Sequence, residues 1–145
     1  MSTKDKLEFF KPDFDSAMQV PFIPEGVSAG FPSPAADFTE NTIDLNKELC
    51  ENPLATFYIR VKGHSMINAG INNGDILVVD RSIEARDNKI AVCLVDGEFT
   101  VKRIKLDDNC LYLLPENPSY QPIKITEDNQ FMVWGIVTYI IKSVL

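Results

Sequence analysis

The chain has 145 residues, 45% of them hydrophobic and 24% charged, the profile of one globular domain and neither two domains nor a disordered chain. At this length about two thirds of the unfolded surface can be buried, so a core forms without covalent staples. Fourteen Lys and Arg against 21 Asp and Glu give a net charge of -7. Without a basic excess to release counterions, strong direct DNA binding is not expected.

Cys50, Cys93 and Cys110 are odd in number and show no CxxC spacing. That argues against a disulfide framework and a structural zinc, and for a reducing, cytoplasmic compartment. The N-terminal residues lack the apolar run of a signal peptide. The longest apolar stretch, residues 131–141, is too short to cross a bilayer and reads as a buried strand, so no membrane partner is expected.

Taken in chain order, the first 34 residues hold five of the nine prolines, with Phe9, Phe10, Phe14, Phe22 and Phe31 interleaved. Proline fixes φ and removes a donor, so this stretch is predicted to be an extended arm whose aromatic side chains dock on this chain or on a partner. Asp44 is placed to cap a short helix running to about Glu51, with Leu45 and Leu49 on one face and Pro53 beyond its end. The period then changes to two. Phe57, Ile59 and Val61 alternate with Tyr58, Arg60 and Lys62, the pattern of a half-buried strand. After the turn residues Asn72, Asn73 and Gly74, residues 75–80 read as a more deeply buried strand. Residues 89–95 and 98–104 flank Asp96-Gly97, a dipeptide suited to the two positive φ angles of a type I′ hairpin turn. Short strands are predicted near 111–114 and 132–141. The fold class is mainly β, a small curled sheet or barrel-like domain with one or two short helices and an extended N-terminal arm.

Counting eliminates most catalytic constellations. His64 is the one histidine, which rules out sites built on paired histidines. No glycine-rich phosphate cradle occurs. No metal and no other cofactor is expected. What remains is Gly63-His64-Ser65-Met66, where the 57–62 strand ends. A serine at such a junction either caps a helical turn or stands beneath backbone N–H groups that can stabilise an oxyanion. His64 is a poor base for Ser65, because neighbouring residues of an extended segment point to opposite faces. A lysine is the other established base for a serine nucleophile. Lys102 lies in the apolar hairpin and shares a strand face with Thr100 and Ile104. It is either an ordinary solvated lysine or a buried base. With an ordinary pKa near 10.4 an amine is neutral in about one molecule in 2,500 at pH 7, so only burial makes it useful.

The segments VSAGFPSPAAD (27–37), VKGHSMINAGINNGDILVVD (61–80) and VDGEFTVKRI (95–104) resemble the UmuD-type branch of the LexA-like Ser/Lys peptidases, self-cleaving subunits of the error-prone DNA polymerase V. The likeness runs from about Phe22 onward. It implies a LexA-type peptidase domain over residues 30–145 and a cleavable arm over residues 1–29. It implies Ser65 as nucleophile, Lys102 as base, the backbone amides of His64 and Ser65 as oxyanion donors, and Ala29–Gly30 as the scissile bond. Position 64 departs from that branch, which carries an acidic residue before the serine. The resemblance further implies a homodimer and an SOS response to DNA damage. In that response a RecA filament on single-stranded DNA stimulates cleavage, and the trimmed dimer joins a UmuC-type polymerase in translesion synthesis and SOS mutagenesis. A LexA-type repressor would need a DNA-binding domain ahead of the cleavage site, and the 29-residue arm, with three Lys and five acidic residues, offers no helical period for one. The competing class is a non-cleaving dimeric interaction module that regulates a translesion polymerase.

Overall fold

In the computed structural model, residues 6–15, 19–21 and 42–145 are described. Among the described residues, ten strands appear in chain order: β1 (Lys6–Phe10), β2 (Gln19–Pro21), β3 (Thr42–Asp44), β4 (Thr56–Lys62), β5 (Ile76–Asp80), β6 (Ile90–Val95), β7 (Glu98–Asp107), β8 (Cys110–Leu114), β9 (Ile123–Ile125) and β10 (Phe131–Ile141). One short helix, α1 (Leu45–Leu49), follows β3, and single 3-10 turns cover Pro53–Ala55 and Ile67–Ala69. Eight strands form one antiparallel sheet in the order β1-β4-β5-β10-β6-β7-β8-β9, and β2 pairs separately with β3. The expected mainly β architecture is present, a sheet curled into a half-barrel.

The predicted hairpin is the clearest local match. Asp96 and Gly97 have φ of 49° and 84°, and β6 pairs with β7 from Val95–Glu98 back to Ile90–Arg103. Asp44 caps α1 through its carboxylate, which accepts from the amides of Asn46 and Lys47. The helix ends two residues earlier than predicted, and its Leu45 is exposed. A five-residue helix is too short to present a continuous apolar face, so the core is built mainly by strands, with Met66 and Ile71 added from the segment between β4 and β5.

Two clusters make up that core. Ile59, Val61, Met66, Ile71, Leu77, Val79, Val92 and Val101 form one, and Ala91, Cys93, Ile104, Leu113 and Ile136 form the other. Successive side chains of a strand point to opposite faces. On β6, Val92 therefore joins the first cluster while Ala91 and Cys93 join the second. This two-sided burial explains why β5 and β6 read as nearly unbroken apolar runs.

Curvature comes largely from β10. Its register shifts between Val133 and Gly135 against β6, and between Val137 and Tyr139 against β5. Such irregularities bend a strand and increase its twist. The curl brings β1, at one edge, against β7, so that the Phe9 and Phe99 rings lie 4.8 Å apart. Trp134 fills the same junction, 4.9 Å from both Phe9 and Phe57, with the Arg81 guanidinium 4.5 Å from its ring centroid. Gly135 allows β10 to lie close to β5, because a Cβ there would stand 2.6 Å from Val79 Cγ1. Val79 is fully buried and has no open space to move into. Gly135→Ala is accordingly expected to cost about 1–3 kcal/mol of stability by overpacking, read as a lower urea midpoint; an unchanged midpoint would show that the two strands can part at this point.

Candidate active site

β4 carries the chain to Gly63, whose φ of 141° lies in a region that a side chain would strain. This turn directs the chain out of the sheet and into His64 and Ser65. The turn at Asn72–Asp75 pins it: Asn73 Oδ1 accepts the Gly63 amide at 3.0 Å, and the Gly74 amide donates to Val61 O at 2.7 Å. Asp75, in turn, accepts the Asn72 amide and pairs with Lys142. Met66, 2% exposed, sinks into the core and draws the preceding serine down with it.

Ser65 is 1% exposed. It is not the cap of the 3-10 turn that follows: Met66 holds that position, and no side chain caps it. The Ser65 hydroxyl instead meets Lys102 Nζ at 3.1 Å. Lys102 is 5% exposed, so its default reading as a solvated strand lysine is overturned. Nζ also donates to Thr100 Oγ1 at 2.6 Å and to Val101 O at 3.1 Å. An ammonium has three protons, and among the described residues three acceptors stand around this one. If one proton is lost, Thr100 and Val101 still hold the remaining two. The lone pair then faces Ser65, and the direction of that hydrogen bond reverses, with Oγ–H donating to Nζ. A hydroxyl and an amine buried in direct contact are the geometry that general-base activation needs.

His64 is exposed, and it takes part through its backbone. Asn117 Nδ2 donates to His64 O at 2.8 Å, the Glu116 amide donates to Ser65 O at 2.8 Å, and the Asn68 amide donates to Glu116 O at 2.8 Å. Because a peptide unit is planar and trans, holding the His64 carbonyl also fixes the direction of the Ser65 N–H. The 116–117 segment is itself tied to the strand that bears the lysine, through Arg103 Nε and Glu116 Oε1 at 2.5 Å. Arg103, next to Lys102 on β7, lies on the opposite face of the strand.

Cys93 pairs with Thr100 across the hairpin but is fully buried. Burial pushes its thiol up to about 12, against the opposing pull of the Lys102 charge, and a thiol that stays protonated is a poor nucleophile. Among the described residues, no group of three or more His, Cys, Asp or Glu side chains is arranged to hold a metal ion. A groove of about 1160 Å³ is lined by residues of β1, by Lys102 and by Ser119–Gln121. Ala29 and Gly30 lie outside the described residues.

The structure therefore brings Ser65 and Lys102 together and leaves the His64 imidazole out. Thr100, Glu116 and Asn117 went unnoticed as candidate site residues. Thr100 carried a signal, since it stands two residues before Lys102 on the same strand face. Asn117 carried none beyond its place in a Pro115-Glu116-Asn117-Pro118 turn.

The Peptidase S24-like family model matches residues 21–138. Protein SamA of Salmonella typhimurium is 44% identical over 123 residues, covering 85% of each chain. Protein MucA of Escherichia coli is 40% identical over 122 residues, covering 83% of this chain and 82% of MucA. The LexA repressor of Alcanivorax borkumensis is 38% identical over 117 residues, which span 81% of this chain but 56% of the repressor. With a family model matching most of its length and its buried serine set against a lysine, the chain belongs to the Peptidase S24-like family.

Proposed function

We propose that the chain is a self-cleaving serine peptidase in which Ser65 attacks the Ala29–Gly30 bond of its own arm and Lys102 is the base. The observation that carries this reading is the 3.1 Å contact between Lys102 Nζ and Ser65 Oγ, with both groups almost fully buried. Burial disfavours the charged form of an amine. It also excludes the water that would otherwise solvate the reacting groups.

The steps balance as follows. Neutral Lys102 takes the Ser65 proton as Oγ bonds to the Ala29 carbonyl carbon. The carbonyl oxygen becomes an oxyanion beneath the His64 and Ser65 amides. Lys102 then returns the proton to the Gly30 nitrogen as the C–N bond breaks, leaving Ala29 esterified to Ser65. Water, deprotonated by neutral Lys102, releases the Ala29 carboxylate and restores the serine. Residues 1–29 form the cleaved arm, and residues 30–145 form the peptidase domain.

The resemblance to UmuD-type subunits extends the proposal beyond chemistry. Under this reading the chain acts as a homodimer, its cleavage is stimulated by a RecA filament on single-stranded DNA, and the trimmed dimer serves a UmuC-type polymerase in the SOS response. Among the described residues no helix is long and apolar enough to cross a membrane.

Held at alkaline pH, the purified chain should split at Ala29–Gly30. The rate should rise about tenfold per pH unit up to the lysine pKa and then level off, since the neutral fraction grows in that proportion. An intact band after long incubation, with and without RecA on single-stranded DNA, would assign the chain to the non-cleaving interaction class. Ser65→Ala and Lys102→Ala should each abolish splitting while circular dichroism stays native; a Ser65→Ala chain that still splits would point to a foreign protease. Asn117→Ala, which frees the His64–Ser65 peptide plane, should slow splitting by about 10- to 1000-fold, up to the cost of losing one oxyanion donor, without shifting the pH at which the rate levels off. A wild-type rate in this variant would show that the peptide plane is held without Asn117.

A further inference from the structure

β1 is an edge strand of the main sheet, paired with β4 over five consecutive positions from Lys6–Lys62 to Phe10–Tyr58. Leu7 and Phe9 face inward and pack against the cluster that holds Ile59, Val61 and Met66. Phe9 sits between Phe99 and Trp134, at 4.8 and 4.9 Å. Glu8, on the other face, pairs with Lys62 at 2.6 Å, and this contact holds its carboxyl below the usual range. The whole of β1 lies before residue 29. β2 also lies before that residue, while its partner β3 lies after it. A cut between 29 and 30 therefore severs one covalent link and leaves two strand ladders bridging the fragments.

We propose that the edge of β4, with its seat between Phe99 and Trp134, is a peptide-binding site whose occupant after cleavage is the chain's own residues 6–10, held as a non-covalent ligand. The proposal rests on the cut site assigned above. Cleavage and release are then separate events. Before the cut, the tether keeps β1 at a high effective concentration. Afterwards the same contacts must hold a free peptide, and occupancy depends on dilution. The site selects by main-chain pairing along β4, by apolar side chains two residues apart as at Leu7 and Phe9, and by an acid between them that faces Arg60 across the ladder and pairs diagonally with Lys62, in the manner of strand addition to a sheet edge. Departure of the peptide uncovers the β4 edge and the Phe99 and Trp134 rings, a row of unpaired backbone groups beside apolar surface that invites another extended segment.

The test uses the full-length protein, cleaved to completion at alkaline pH and returned to neutral pH. In gel filtration at tens of micromolar, residues 1–29 should co-elute with residues 30–145 and separate on dilution. A hundredfold excess of a synthetic peptide of residues 6–12 should displace the retained fragment, whereas a scrambled peptide should not. Phe9→Ala should move the dissociation midpoint at least tenfold to higher concentration. A fragment that separates at every concentration overturns the proposal, as does displacement by both peptides alike. If the chain does not cut, the peptidase reading is what fails. The β4 site is then decided on the uncut Ser65→Ala chain, where amides within Lys6–Phe10 should exchange with deuterium at least a hundredfold more slowly than in the free peptide. Equal exchange rates would overturn it.

Discussion

The contact between Lys102 Nζ and Ser65 Oγ at 3.1 Å spans most of the width of the sheet. Ser65 follows β4, second in the strand order, while Lys102 lies on β7, sixth in that order. In a flat sheet, strands four places apart are nearly 20 Å distant at about 4.8 Å per step. Only the curl closes that gap, and the irregularities of β10, the glycine at 135 and the ring cluster at Trp134 all act on the curl. A buried amine left without acceptors would be costly. Thr100, Val101 and Ser65 meet that demand, so the polar pair is compatible with the apolar clusters on either side.

The serine loop owes its shape to backbone hydrogen bonds more than to its own sequence. Asn117 and Glu116 hold the carbonyls of His64 and Ser65, and the turn at residues 72–75 holds Gly63. The Arg103–Glu116 pair is about a third exposed on both sides, so it adds little stability, about 0–1 kcal/mol. Its importance is geometric, because it ties the segment that orients the serine loop to the strand that carries the lysine. The imidazole at position 64 is exposed and lies outside this arrangement.

Residues 6–10 of the N-terminal stretch are built into the main sheet. Prolines and aromatics forecast extended backbone and docking over residues 1–34, and both occur at residues 6–10: β1 completes one edge of the sheet, and Phe9 enters the aromatic junction. Phe22 and Phe31 lie outside the described residues. Phe10 and Phe14, counted with Phe9 as docking residues, are instead about half exposed. Pairing along β4 puts alternate side chains on opposite faces, and only one face of β1 meets the core. The partner strand could not be foreseen, since pairing between residues 6–10 and 58–62 depends on no local pattern.

Amino-acid order alone determined the elements whose causes are local. The positive φ angles at Asp96 and Gly97, the Asp44 cap, the period-two pattern of β4 and the continuous apolar runs of β5 and β6 all follow from neighbouring residues. The order also narrowed the chemistry to Ser65 and Lys102 by elimination and by resemblance. Three-dimensional packing alone decided whether that lysine was solvated or buried, whether the serine capped a turn or faced an amine, and which residues held the loop in place. These outcomes depend on side chains far apart in the chain, such as Ser65 with Lys102 and His64 with Asn117, meeting once the sheet curls, and no periodicity or spacing along a chain encodes such a meeting.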